Sequence, residues 1–453
     1  MTLCTTISTH SFKEIVMLVN VIGGGLAGCE ASYQLLKRGY SVNLYEMRGV
    51  KNTPCHETDN LCELVCSNSL KSMEKTTASG TLKEELALLD SMVLAMAYKA
   101  KVPSGGALAV NREELSKYVY EKLSSYQNFR LIRQEYECID TSVPTIIASG
   151  PLTSDSLAIS INNLIGNDKN LHFYDAVAPI ISGDSLDMDK VFCATRYDKG
   201  EASDYLNCGM NKEEYLAFYN ELVNGERAVL HDFEKGEVFE SCMPIEVMAK
   251  RGADTIRYGM MKPVGIINPK NNQKYYAVVQ LRKENVEGSA YNIVGFQTNL
   301  TFPEQRRIFR LIPGLEYAEF LRYGVIHRNT FLNSPKLLEY SFRLKGYKNL
   351  YFAGQITGVE GYMESVMSGL IAGINLDRVL KGECEVLFPS TTICGALQRH
   401  IATENVNFQP MNANFGVLPP LDSVIRDKKM RKTAYSDRAI LDMENCIKEY
   451  CID

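Results

Sequence analysis

The chain has no tryptophan, no CxxC pair and no apolar run long enough to cross a bilayer. The last absence excludes a helical membrane anchor. Thirteen cysteines, an odd number in a chain of 453 residues, argue against a disulfide framework, and without CxxC they match no zinc knuckle. Reduced thiols and a cytoplasmic location are expected, with no bound metal. Positive charge is also lacking: 49 Lys and Arg against 54 Asp and Glu give a net charge of −5. Any nucleic acid must therefore be held by a local patch. There are no internal repeats and no low-complexity tract. What remains is ordinary globular material: 45% apolar residues and a length that suits two or three domains.

Residues Met1–Val16 lack the basic start of a signal peptide, and Met17 directly precedes the first strand signal. We expect either a start at Met17 or a disordered leader over 1–16. Leu18–Ile22 is a compact apolar strand. A glycine loop follows, then a helix pattern from Leu26 to Lys37 closed by Gly39, then an alternating strand Ser41–Tyr45 ending at Glu46. This is a β-α-β unit of about 30 residues. Asn111 and Glu114 have capping-box spacing and open a helix through Leu123. Phe129–Ile132 and Thr145–Ala148 are strands, the second turning sharply at Ser149-Gly150-Pro151. From about Asp184 to Gly324 the chain is Tyr-rich and less periodic, with strands at Tyr276–Leu281 and Tyr291–Gln297. The α/β pattern returns at Leu350–Ala353 and in a helix from Glu364 to Leu380, and the last forty residues are helical and polar. The expected architecture is α/β: a Rossmann-like, glutathione-reductase-like nucleotide-binding domain (17–184 and 326–453) split by an inserted α+β domain (185–325).

Gly23-Gly24-Gly25-Leu26-Ala27-Gly28 fits GxGxxG. The pattern demands a tight turn, a close backbone approach to a pyrophosphate, and close helix–strand packing. The N-terminus of the helix would face the phosphates with free N–H groups. Glu46, about twenty residues on, is placed to accept ribose hydroxyls. A glycine-rich turn in an unrelated α/β protein is the alternative. A second glycine-rich junction, Gly354-Gln355 to Gly361 followed by Gly369 and Gly373, favours a flavin over a nicotinamide nucleotide as resident. Plain helix–strand packing would also explain it.

Cys66 in ELVCSNS and Cys242 in ESCMPIE sit in polar, turn-like contexts, although most lone cysteines are small buried hydrophobes. Cys55 and Cys62 add no metal-site spacing. His56 beside Cys55 could serve as a base, but a solvent-exposed loop histidine is the commoner outcome. Arg426, Lys428, Lys429, Arg431, Lys432 and Arg438 form one basic cluster, and Arg306, Arg307 and Arg310 another. Each would bind phosphates without reading sequence, or be a solvated helix face.

Taken together, VIGGGLAGCEASYQLLKRG, ELVCSNSLKS, VPSGGALAV, CMPIEVMAKRG, YNIVGFQTNL, RYGVIHRNTFLNSP and YFAGQITGVEGYMESVMSGLIAGIN resemble the TrmFO family of folate- and FAD-dependent tRNA uracil-5-methyltransferases. The matching segments run from Leu18 to about Asp437. The related GidA (MnmG) family shares the FAD loop but lacks CMPIEVMAKRG and HRNTF. The chain departs from the pattern at GGG, where GAG is common, and at Cys55-His56-Glu57. The resemblance implies bound FAD, 5,10-methylenetetrahydrofolate as carbon donor, NAD(P)H as electron source, and uracil-54 of the tRNA T-loop as target. It assigns Cys242 as the nucleophile on uracil C6 and Cys66 as the base for the C5 proton, with His327 or Tyr323 beside the folate pteridine. The alternatives are a paralogue acting on a uracil of 23S rRNA, and a flavin- and folate-binding redox protein without RNA methylation.

Overall fold

The computed structural model describes residues 17–452, except 54, 167–170, 177, 199–203, 229–236, 239–242, 286, 325 and 406–407. The leader 1–16 and Cys242 thus lie outside the described residues.

A five-stranded parallel sheet forms the centre of the nucleotide-binding unit. Its strands are β1 (Leu18–Ile22), β2 (Ser41–Glu46), β3 (Phe129–Arg133), β4 (Thr145–Ile147) and β5 (Leu350–Phe352), in the spatial order β5-β4-β1-β2-β3. Every neighbouring pair is parallel, with Val21 opposite Leu44 and Ile146 opposite Tyr351. Parallel sheets are covered on both faces. Accordingly, all of β1 but its first residue is buried. The strand β5 reaches this sheet only after some 200 residues of intervening chain, so the sheet is completed by the returning segment.

Helix α1 (Leu26–Lys37) crosses from β1 to β2, and eleven of its twelve residues are buried. It packs against α3 (Tyr362–Leu380), the helix that follows β5. A side chain at Gly369 would overlap the Ala27 carbonyl, and one at Gly373 would come within 2.9 Å of Gln34 Cβ. These two glycines therefore set the separation of α1 and α3. Helix α2 (Ala78–Leu88) carries the fully buried Glu85, whose carboxylate accepts from Ile393 N and Cys394 N at the start of α4 (Ile393–Ala402), each at 2.8 Å. The C-terminal helix α5 (Lys428–Tyr450) lies on α2, where Ser436 Oγ meets Thr81 Oγ1 at 3.1 Å.

The apolar interior divides into two main clusters. One draws on residues between Val19 and Ile161 and again between Phe331 and Cys446; the other lies wholly between Ile181 and Ala318. The second cluster is built on a six-stranded sheet that includes Tyr205–Met210, Ala277–Lys283 and Ala290–Ile293 as antiparallel neighbours. The strand expected over Tyr291–Gln297 stops at Ile293, because the chain turns at Gly295 with φ +80°. A separate small sheet pairs Leu171–Ala176 with Ile326–Phe331. Among the described residues no helix is long and apolar enough to cross a membrane.

Candidate functional site

The carboxyl ends of β1, β2 and β4, together with the N-termini of α1 and α3, enclose a cleft of about 350 Å³. The three motif glycines have different neighbours there. Gly23 adopts φ +107°, and a Cβ on it would strike the Ala148 carbonyl of the adjoining strand. A Cβ on Gly28 would overlap the Gly23 carbonyl, so helix and loop meet backbone to backbone. A Cβ on Gly25 would meet nothing within 4 Å and would project into open space. No side chain caps α1 and no acidic residue occupies its first turn, so its end is open to an anion. The second helix end also lacks a side-chain cap, with Gly361 at φ +122° before α3, but its first turn carries the buried Glu364. Gly354 N donates to Ser368 Oγ at 2.6 Å, and Gln355 Nε2 donates to Glu360 Oε2 at 2.6 Å.

Glu46 lines this cleft, but ribose is not its only prospective partner. Its carboxylate accepts from Gly24 N at 2.8 Å, from Arg48 N at 2.9 Å and from Arg48 Nη2 at 2.9 Å. Three of roughly four acceptor sites are taken. Burial alone would raise the Glu46 pKa, but the Arg48 guanidinium and the two N–H bonds prevail and hold it below the usual range. Arg48 also pairs with Glu63 at 3.2 Å. Neither Arg48 nor Glu63 is marked by spacing; their roles come from tertiary pairing. Gly24, the extra glycine of GGG, faces Glu46 and Leu61, and a Cβ there would fall 2.5 Å from Leu61 Cδ2.

Cys66 lines the same cleft as the glycine loop. Its N–H and that of Ser67 donate to Tyr362 Oη at 2.9 and 3.2 Å. Burial, and then the neighbouring Cys66, raises the Tyr362 pKa, so the phenol keeps its proton. The loop is held from two sides. Arg112 Nη1 donates to Leu64 O at 2.7 Å from the nucleotide-binding unit. Arg282, on the strand Ala277–Lys283, donates to Asn68 Oδ1 at 2.8 Å and Ser67 Oγ at 2.6 Å. The thiol thus sits on the seam between the two main cores.

His56 is not a solvent-exposed loop histidine. It lines the cleft, half-buried, with Nδ1 2.6 Å from Thr53 Oγ1. Burial and then Arg48 push its pKa down to about 4, so the ring is neutral at physiological pH. Lys71 and Glu364 form a 3.0 Å ion pair at the α3 end.

Other expected residues lie elsewhere. Tyr323 does not line the cleft, and both faces of its ring are occupied. Phe302 stacks on it at 4.6 Å and Phe320 at 5.1 Å, while its hydroxyl receives Arg306. It has no face to offer a pteridine. His327 lies on the strand Ile326–Phe331 opposite Asp175; its side chain is outside the described residues. Arg306, Arg307 and Arg310 are engaged within the protein, by Tyr323, by Glu304 and Glu221, and by the Ala318 carbonyl respectively. By contrast, Arg426, Lys428, Lys429 and Arg431 are exposed and Lys432 is half-buried at the start of α5. Arg438 is tied to the Pro419 and Pro420 carbonyls. Phe415 stacks on Tyr435 of α5 at 5.6 Å, and Asn412 in the same segment lines the cleft. The helix that carries the α5 cluster is therefore joined, through Phe415, to a segment that lines the cleft.

The family model described as glucose inhibited division protein A matches residues 18–384. The methylenetetrahydrofolate–tRNA-(uracil-5-)-methyltransferase TrmFO of Halalkalibacterium halodurans is 52% identical over 432 residues, 95% of this chain and 99% of that protein. The protein of the same name from Streptococcus agalactiae is 54% identical over 436 residues, 94% and 98% of the two chains. Among solved structures, Aquifex aeolicus GidA superposes with a TM-score of 0.68 at 15% identity, covering 97% of this chain and 77% of its own, which is a likeness of fold.

Proposed function

This chain belongs to the TrmFO family of methylenetetrahydrofolate–tRNA-(uracil-5-)-methyltransferases, and on that premise we propose that it forms 5-methyluridine at uracil-54 of the tRNA T-loop. The observation that carries the reading is the position of Cys66, a thiol lining the same cleft as the dinucleotide loop.

The cleft fits FAD. Gly25 leaves open the space a Cβ would fill, and two helix N-termini without side-chain caps converge on it. Gly23–Gly28 and α1 would hold the diphosphate, Glu46 a ribose hydroxyl at its remaining acceptor site, and Gly354, Gln355 and Gly361 the flavin end. When bound, FAD supplies reducing equivalents drawn from NAD(P)H and carries the one-carbon unit from methylenetetrahydrofolate.

The protein's own residues supply the acid–base and nucleophilic steps. Cys242, as thiolate, adds to uracil C6 and forms an S–C6 bond, which makes C5 nucleophilic. After C5 is alkylated, Cys66 removes the C5 proton, and the S–C6 bond then breaks to restore the pyrimidine. The Tyr362 hydroxyl fixes the Cys66 backbone through two N–H bonds. Neutral His56 can accept or pass a proton at the same cleft. The basic start of α5, with Lys428, Lys429, Arg431 and Lys432, holds RNA phosphates. His327 is the remaining candidate beside the pteridine. The unit boundaries 17–184, 185–325 and 326–453 belong to the same proposal.

The test uses the full chain with FAD, NAD(P)H, labelled methylenetetrahydrofolate and either unmodified tRNA or 23S rRNA. Label is expected at uracil-54 of tRNA only. Label in rRNA alone, or in neither RNA, sinks the reading. Cys66→Ala is expected to stay yellow and transfer no label; full turnover by that variant removes Cys66 from the chemistry.

A further inference from the structure

The inserted unit carries a surface that the cleft chemistry does not use. Between Lys250 and Tyr276 the chain holds six basic residues (Lys250, Arg251, Arg257, Lys262, Lys270 and Lys274) against one acid, Asp254, in a protein whose net charge is −5. The same stretch exposes large apolar side chains. Tyr258 is 63% exposed, Val264 51%, Ile267 46% and Met260 36%, and Tyr197 from the preceding turn is 59% exposed. Single exposed hydrophobes are ordinary, but this grouping among positive charges is not.

The pieces form one fixed platform. Tyr197 N donates to Gly265 O at 2.9 Å, and Arg196 Nη1 donates to the Lys262 and Val264 carbonyls at 2.8 and 2.6 Å. The Tyr197 ring lies against Gly265, where a Cβ would come within 2.8 Å of it. Tyr197 holds φ +60° and ψ +31°, a conformation that costs a non-glycine residue free energy and is retained here with the ring in solvent. Arg257 lies between two rings, 4.8 Å from Tyr258 and 3.9 Å from Tyr276. Tyr276 leads directly into the strand Ala277–Lys283, whose far end carries Arg282, the residue that holds the Cys66 loop. Seven residues of strand span roughly 20 Å. The platform is therefore one strand length from the thiol.

We propose that this surface is an RNA-binding face, on which unpaired bases stack against Tyr197 and Tyr258 while Lys262 and Lys274 hold phosphates. Tyrosine side chains more than half exposed, beside cations placed to meet a phosphate chain, form the combination that holds single-stranded RNA without reading its sequence. Charge complementarity favours a polyanion over a second copy of this acidic protein. The inference rests on the tRNA reading above, since that RNA is the partner the face would engage.

The test compares FAD-loaded wild type, Tyr197→Ala/Tyr258→Ala and Lys262→Glu/Lys274→Glu for binding of unmodified tRNA between 50 and 200 mM salt, with sedimentation of each protein alone. Flavin content and NAD(P)H-driven flavin reduction confirm folding. The tyrosine pair is expected to weaken binding about tenfold or more with an unchanged salt slope. The lysine pair is expected to weaken it and to flatten the slope by about 1.5. If wild type binds and methylates tRNA and both variants match its affinity, the face is not an RNA site while the function stands. If the tyrosine pair changes only the sedimenting mass, the face joins two copies and the proposal falls. If wild type binds no tRNA, the functional reading falls and this face with it.

Discussion

The open space beside Gly25 separates two roles that a glycine loop usually mixes. At Gly25 the backbone lies at φ −77° and ψ −171°, which any residue adopts, and a Cβ would meet no protein atom within 4 Å. Gly25→Ala should therefore leave the flavin-free protein unharmed. Loss of unfolded-state entropy would even stabilise it by about 0.4–1 kcal/mol. The added methyl lands where the diphosphate must approach the backbone, and displacing one charge-assisted N–H bond costs about 1.5–3 kcal/mol, or roughly 10- to 150-fold in FAD affinity. Gly28→Ala should do the opposite. Its Cβ overlaps the Gly23 carbonyl, so the backbone must shift, at about 1–3 kcal/mol of overpacking or more, before any ligand is present. Thermal melts of flavin-stripped protein, paired with FAD titrations followed by flavin fluorescence, read both quantities. Wild-type FAD affinity in Gly25→Ala, or an unchanged apo melting point in Gly28→Ala, would refute the assignment of roles within the loop.

Two further outcomes follow from buried and stacked groups. Burial raises the Glu85 pKa to about 7 against the bonds it receives from Ile393 N and Cys394 N. Its folded pKa exceeds its unfolded one, so the stability it contributes is complete below about pH 4.5 and is lost as pH rises through 7, by about 3 kcal/mol. Melting points at pH 5 and pH 7.5 should therefore diverge more in wild type than in Glu85→Gln, and equal divergence in the two would contradict the shift. Tyr323→Leu should leave the KM for methylenetetrahydrofolate within about twofold, because both faces of that ring already belong to Phe302 and Phe320; an increase above about tenfold would restore Tyr323 as a folate residue.

Local pattern carried the nucleotide loop almost completely. The helix expected over Leu26–Lys37 has those bounds, because apolar periodicity and Gly39 at φ +91° both act within a few residues. The helix after Asn111 begins where its side chain accepts from Glu113 N and Glu114 N. Glu364–Leu380 was short by two residues, since Tyr362 and Met363 belong to the same helix. What sequence hid is long-range. The Glu46–Arg48–Glu63 chain, the Phe302–Tyr323–Phe320 stack and the clamp on the Cys66 loop join residues far apart in the chain or unmarked by period. His56 was misplaced although its neighbours Thr53 and Arg48 are close in sequence, because the loop that half-buries it has no periodic pattern.

The double anchoring of the Cys66 loop makes thiol position a function of how the two halves of the molecule are joined. Were the inserted unit to rock away, Arg282 would pull on Ser67 and Asn68 while Arg112 kept Leu64 in place, and the strain would fall on the two residues between. Turnover would then suffer from substitutions buried far from the cleft that merely loosen this join, with flavin colour and overall fold intact. In a collection of inactive yet yellow variants, the seam is the first place to look.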